Sequence, residues 1–212
     1  MKEIKVLIYE FEELTANAQK KVFADHRQDY VDPYWWTNVY EDFIDDMKKY
    51  GIVLAHDDIH FSGFGSQGDG ASFDFSMCSD DIMKYLTFTN QLSKYKILVG
   101  LIRNNSDVAV YTLTNKFSNT YSHEHTRSTY TDHSYSGKNS KIERKLAYET
   151  ELLCEDIETL RLAKCKYLYQ SLNEEYTART EDDYIKEWLI NTDTMFYVNG
   201  DVVNDGVSEG VK

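Results

Sequence analysis

A single proline in 212 residues, and no serine- or glycine-rich linker, leave this chain without the punctuation that separates domains. Cysteine is scarce too: Cys78, Cys154 and Cys165 form no C-x-x-C pair and are odd in number. That excludes a disulfide framework and a zinc knuckle, and it fits a reducing compartment in which each thiol is a small buried hydrophobe. No long apolar run exists. The longest, around Ile97–Ile102, falls far short of the roughly 20 residues that cross a bilayer, and the opening "MKEIKVLIYEFEELT" has no signal-peptide core. Positive charge is deficient as well. Lys and Arg total 23 against 36 Asp and Glu, a formal net charge of −13. Such a balance repels nucleic acid and anionic membranes, so direct binding to either is not expected. A soluble, cytoplasmic protein is.

The acidity is not spread evenly. Residues 1–60 carry 7 basic and 13 acidic side chains and residues 141–212 carry 9 and 16, whereas residues 61–140 carry 7 of each. An anionic small ligand is therefore admissible in the middle third. A hydrophobic share of 42%, with 17 tyrosines, is enough to bury a core.

The hydrophobic pattern predicts an α+β fold: a single domain over 1–203, a mainly antiparallel sheet with helices packed on it, and a frayed tail at 204–212. "EIKVLIYEF" alternates as a strand. "LTANAQKKVFADHRQDY" reads as a helix capped by Thr15, with Leu14, Ala18 and Val22 on one face. In "DPYWWTNVYEDFIDDMKKYG", Asp32 is the expected cap, Pro33 suits the first turn and Gly51 the position after the end. Its apolar stripe runs through Trp36, Val39, Tyr40, Phe43, Met47 and Tyr50, and Glu41, Asp42, Asp45 and Asp46 form the solvated face. "DIHFSGF" and "ASFDFSM" read as paired strands. "SDDIMKYLTFTNQLSKYKILVGLI" reads as one helix capped by Ser79, and "DVAVYTLTN" as a strand. A long helix over 139–179 follows, as suited to a homodimer as to a monomer core. Next come a short helix with Thr180 and Asp183 in capping-box spacing and a hairpin at Asn199–Gly200 of type I′.

Two stretches break the core-building pattern. "HFSGFGSQGDGASFDF" (60–75) places four glycines between aromatic runs. Successive N–H groups in such a loop can hold an anion, and the loop lacks the lysine of a Walker motif and the spacing of a dinucleotide fingerprint. It is either an ordinary hairpin loop or a backbone-lined cradle, and Asp69 between Gly68 and Gly70 suits a side-chain-stabilised turn. In "YSHEHTRSTY" (121–130), read as a strand, Tyr121, His123, His125, Arg127 and Thr129 share one face and neither face is apolar. Such a strand lies at an edge or lines a cavity. His123 and His125 have the spacing of two metal ligands, with Asp69, Glu124 or His133 as a third, and equally suit hydrogen bonds to a phosphate or nucleobase.

These two motifs, with "LTANAQKKVFADHR", "WTNVYEDFIDDMKKYGI" and "LYQSLNEEYTARTEDDYIKEWLINTDTMFYVNGD", resemble an uncharacterised family of tailed bacteriophages and prophages. Its hallmark, S-G-F-x-S-Q-G-D-G-A-S-F, is matched most specifically from Ser66 to Phe73, and the likeness runs over nearly the whole chain. Gly65 departs from it, standing where the family pattern has an aromatic residue. The resemblance implies a phage accessory protein in the cytoplasm of an infected bacterium, and it brings no activity, cofactor or metal with it. The leading expectation is an anti-defence protein that sequesters a small anionic or nucleotide-like ligand. Gly63, Ser66, Gln67, Gly68, Asp69, Gly70 and Ser72 would contribute from the loop, and Tyr121, His123, His125 and Arg127 from the strand. The alternatives are an acidic inhibitor that mimics nucleic acid or docks on a basic host protein, and a metal-dependent phosphoesterase using His123, His125 and Asp69.

Overall fold

The computed structural model describes residues 6–29, 31–104, 108–117 and 121–203. They form an α+β fold in which every strand pairing is antiparallel. The backbone divides into two compact units, residues 1–35 with 174–212, and residues 36–173.

In the first unit the described part of the expected opening strand holds β1, Tyr9–Glu10, which ends where the chain turns into a 3₁₀ helix at Phe11–Glu13; residues 3–5 of that expectation lie outside the described residues. Helix α1, Ala16–His26, starts where the sequence places it, with Thr15 Oγ1 accepting from the Ala18 N–H. Leu14, Ala18 and Val22 bury against Phe11, Ile185, Leu189 and Phe196.

Helix α2, Thr37–Lys48, opens the second unit. Asp32 caps the turn before it, through the Tyr34 N–H, so the helix begins several residues later than its punctuation suggests. Tyr40, Phe43 and Met47 are buried, and Gly51 follows with φ +76°. Of the acidic face, Glu41, Asp42 and Asp45 are exposed, while Asp46 is half-buried and pairs with Lys164 at 2.5 Å.

Strands β2, Ile59–Phe61, and β3, Ala71–Phe73, pair across the glycine loop as predicted. The chain then kinks at Asp74–Phe75 into β4, Ser76–Met77, which pairs with β5, Val108–Lys116. Strand β6, Arg127–Tyr135, completes a three-stranded sheet in the order β4-β5-β6. Between β4 and β5 the single helix read from sequence is two, α3, Ser79–Phe88, and α4, Lys96–Arg103. Asn90, at φ +56°, ends the first. Its cap is Cys78, whose N–H is bonded by Asp81, rather than Ser79. Ser79 Oγ instead bonds both the N–H and the C=O of Val110.

Helix α5, Ser140–Arg179, is 40 residues long. Within the second unit it buries Leu146, Thr150, Leu153, Ile157, Arg161, Cys165, Leu168 and Leu172, spaced three or four apart. In the first unit, α6, Asp182–Asn191, starts after Glu181, and Thr180 bonds back to Tyr176 rather than capping it. Strand β7, Met195–Phe196, pairs with β1. The Asn199–Gly200 hairpin forms, with Tyr197 N–H to Asp201 O and Gly200 N–H to Tyr197 O. Only Gly200 has positive φ, so this is a three-residue loop with a glycine bulge, not a type I′ turn. The expected tail, 204–212, lies outside the described residues.

All three cysteines are free. Only Cys165 is the buried hydrophobe expected, its thiol pushed up to about 11 by burial; Cys78 is exposed and Cys154 half-buried.

Candidate functional site

The loop from Ser62 to Gly70 is closed by its own polar atoms. The Ser62 N–H bonds Gly70 O, the Asp69 N–H bonds Ser66 O, and the Asp69 carboxylate accepts the Ser66 N–H at 2.6 Å. Asp69 thus supplies the anion for the loop's interior itself. Phe64 anchors the loop, with its ring 4.9 Å from Phe61 and 5.4 Å from Tyr169 of α5. Ser66 and Gln67 stand exposed at the tip, and among the described residues the Gln67 and Gly68 N–H groups have no hydrogen-bond partner. A Cβ on Gly65 would meet nothing within 4 Å, so the position has room for a larger side chain, although its φ of +109° suits glycine.

The histidine segment lies directly against this loop. A Cβ on Gly68 would run into the ring of Tyr121, and one on Gly70 would sit 2.5 Å from His123 Cα. Glycine is needed at both positions, at Gly68 because the Tyr121 ring lies over it and at Gly70 because the His123 backbone does. The segment is not the strand expected from its alternation: residues 121–123 are extended loop, Glu124–Thr126 is a 3₁₀ turn, and β6 begins only at Arg127. His123 caps that turn. Its Nδ1 accepts the His125 N–H at 3.2 Å and its carbonyl accepts from both Thr126 N–H and Oγ1. With Nδ1 accepting, a neutral His123 carries its proton on Nε2, as a donor. Tyr121 and His123 stack with centroids 6.1 Å apart, and His125 follows edge-on at 5.9 Å. Tyr121 and His125 are exposed.

Arg127 is not on that row. It is buried beneath the loop, donating to Asp74 through Nε at 2.6 Å, to Ser72 Oγ at 2.7 Å and to Thr126 Oγ1 at 3.2 Å. Ser72 is equally buried. The pair ties the strand leaving the loop to the histidine turn, so both serve the framework under the rim. Asp74 also accepts from His60 Nε2 at 2.9 Å. Burial alone would raise the Asp74 pKa, but the hydrogen bonds and charge of Arg127, and then of His60, outweigh it and hold the carboxyl below its ordinary value. Glu158 is likewise held low, by Arg161 and Thr129 against its burial.

A carboxyl depressed in the folded state adds stability above its unfolded pKa and loses it as pH falls through the folded one. Urea midpoints are therefore expected to hold steady down to about pH 4 to 5 and to fall below that. Asp74→Asn is expected to flatten the fall. An unchanged slope in that variant removes Asp74 from the account.

Sequence reasoning missed Asp74, His60, Glu158 and Arg161. Arg161, 1% exposed, donates to the carbonyls of Glu124 and Arg127 at 2.9 Å each, and Glu158 holds it at 2.6 Å. The signal was present, since Arg161 falls on the apolar stripe of α5 between Ile157 and Cys165. The metal set is not assembled. Among the described residues no group of three His, Cys, Asp or Glu side chains is placed to hold an ion, so Asp69, Glu124 and His133 do not complete a site with His123 and His125.

Fold and site together define an α+β protein with a self-closed glycine loop overlaid by a histidine turn. The chain belongs to the family described as Domain of unknown function (DUF8835), whose model matches residues 35–182, a span that contains the loop, the turn and the whole of α5. No curated protein and no solved structure matches it.

Proposed function

We propose that this protein binds and sequesters a small anionic, nucleotide-like ligand at the rim formed by the loop tip and the histidine turn. It does so as a bacteriophage accessory protein that silences a host defence signal in the infected cell's cytoplasm. The observation that supports this reading best is the overlay of the two segments. It sets the exposed Ser66 and Gln67, the Gln67 and Gly68 N–H groups and the row Tyr121–His123–His125 in one neighbourhood. Imidazoles and backbone N–H groups suit phosphate oxygens, and an exposed tyrosine ring suits a base. The phage setting rests on the sequence resemblance alone.

Calorimetry with a panel of linear and cyclic nucleotides tests it. At least one is expected to bind, and His125→Ala is expected to weaken it about tenfold, the equivalent of one charge-assisted hydrogen bond, without changing thermal stability. Reversing Glu41, Asp42 and Asp45 to lysine is expected to leave binding alone. The rival reading, an acidic inhibitor docking on a basic host protein, draws on the exposure of those three carboxylates on α2 and predicts the reverse, with steep salt sensitivity. A protein that binds no nucleotide in the panel sinks the capture reading.

A further inference from the structure

The kink between β3 and β4 gives Asp74 two neighbourhoods. One is the buried network with Arg127, His60 and Thr114. The other is a cleft of about 340 Å³ lined by Val53, Asp58, Asp74, Ser76, Thr114 and Lys116. Its charges are arranged unequally. Asp74 is balanced from behind by Arg127, which donates to both its oxygens at 2.6 and 3.2 Å. Asp58 uses one carboxylate oxygen to accept the Ala55 N–H at 2.8 Å, and it pairs with no cation among the described residues. Lys116, at the end of β5 and in register with Arg127, is exposed and pairs with no carboxylate among them. One free anion and one free cation thus face the same cleft without meeting each other. The exposed Ser76, on β4, lines the same cleft, while Thr114 Oγ1 is already spent on Asp74 and the Phe75 N–H.

We infer that this cleft is a second binding site, for a small zwitterion of the free amino acid class. Its ammonium group sits at Asp58, beside the compensated Asp74, and its carboxylate meets Lys116 and the Ser76 hydroxyl. Charge-assisted hydrogen bonds at two ends of one small molecule give both affinity and orientation. Val53, 68% exposed, supplies the apolar wall for a side chain. The site shares Asp74 with the framework under the rim, but Asp58, Ser76 and Lys116 take no part in the rim, so the two readings are tested separately.

Amide NMR titrations of the full chain with free glutamate, lysine and leucine test it, alongside the single-ended probes acetate and ethylamine. At least one amino acid is expected to give saturable shifts at Ser76, Thr114 and Lys116 in the millimolar range or below, and the single-ended probes are not. Lys116→Gln and Asp58→Asn are each expected to weaken binding about tenfold. Both should fold, because Lys116 is exposed and an asparagine oxygen can still accept the Ala55 N–H. No saturable shift with any amino acid overturns the inference. So does acetate binding as well as the amino acids, or affinity unmoved by both substitutions.

Discussion

Replacing Arg161 with methionine is expected to cost about 3 kcal/mol of stability in urea unfolding followed by far-UV circular dichroism. The guanidinium is buried in the apolar stripe of α5, and its loss leaves Glu158 without its partner and the Glu124 and Arg127 carbonyls without their donors. Removing one member of a buried pair is costly because the survivor stays desolvated and charged. Glu158 keeps 29% of its side chain exposed, which places the expectation at the lower end of the usual range. The double variant Arg161→Met with Glu158→Gln removes the stranded charge and is expected to recover part of the loss. A single-variant loss under about 1 kcal/mol would show that water replaces the guanidinium freely, and that the histidine turn does not depend on α5.

Gly70→Ala is the second large expectation, about 2 to 3 kcal/mol. The added methyl would sit 2.5 Å from His123 Cα and 2.6 Å from its Cβ, and a backbone atom cannot swing aside as a side-chain tip can. Loop and histidine turn must then separate. The rim comes apart with them, so nucleotide binding is expected to disappear in a variant whose helices remain folded. Gly65→Ala is the internal comparison. Open space surrounds its Cβ, so only the backbone conformation opposes it, at about 1 kcal/mol. Equal losses at the two positions would mean that the overlay is loose, and that Gly70 owes its place to flexibility.

Much of this architecture is legible in the sequence wherever neighbours along the chain decide the outcome. The Thr15 cap, the α2 stripe, the β2–β3 pairing and the span of α5 all follow from local spacing. The departures share a cause, which is that a tertiary partner outbids a local preference. Ser79 has the chemistry of a cap and is drawn to Val110 instead. The alternation of Tyr121, His123 and His125 looks like a strand, but the segment lies over two glycines, with the Tyr121 ring on Gly68 and the His123 backbone on Gly70, and it curls into a 3₁₀ turn there. Arg127 was grouped with them by parity and turned inward because Asp74, 53 residues away in sequence, offers a fixed carboxylate. The candidate site was recognisable as two polar stretches. That they touch was not, because no pattern within either stretch encodes the other's position.

The bonds that Ser79 and α5 make to the three-stranded sheet have a consequence for the protein's behaviour at high concentration. Ser79 occupies the outward N–H and C=O of Val110 on β5. On β6, Glu158 takes the Thr129 N–H, Cys154 meets the Thr129 carbonyl, and Arg161 takes the carbonyl of Arg127. Those are the groups through which a foreign strand would dock and begin a chain of additions. With side chains plugging them, the sheet offers no continuous template for fibre growth at these positions, although β6 and the stretch of β5 that the short β4 does not cover border the sheet's rim.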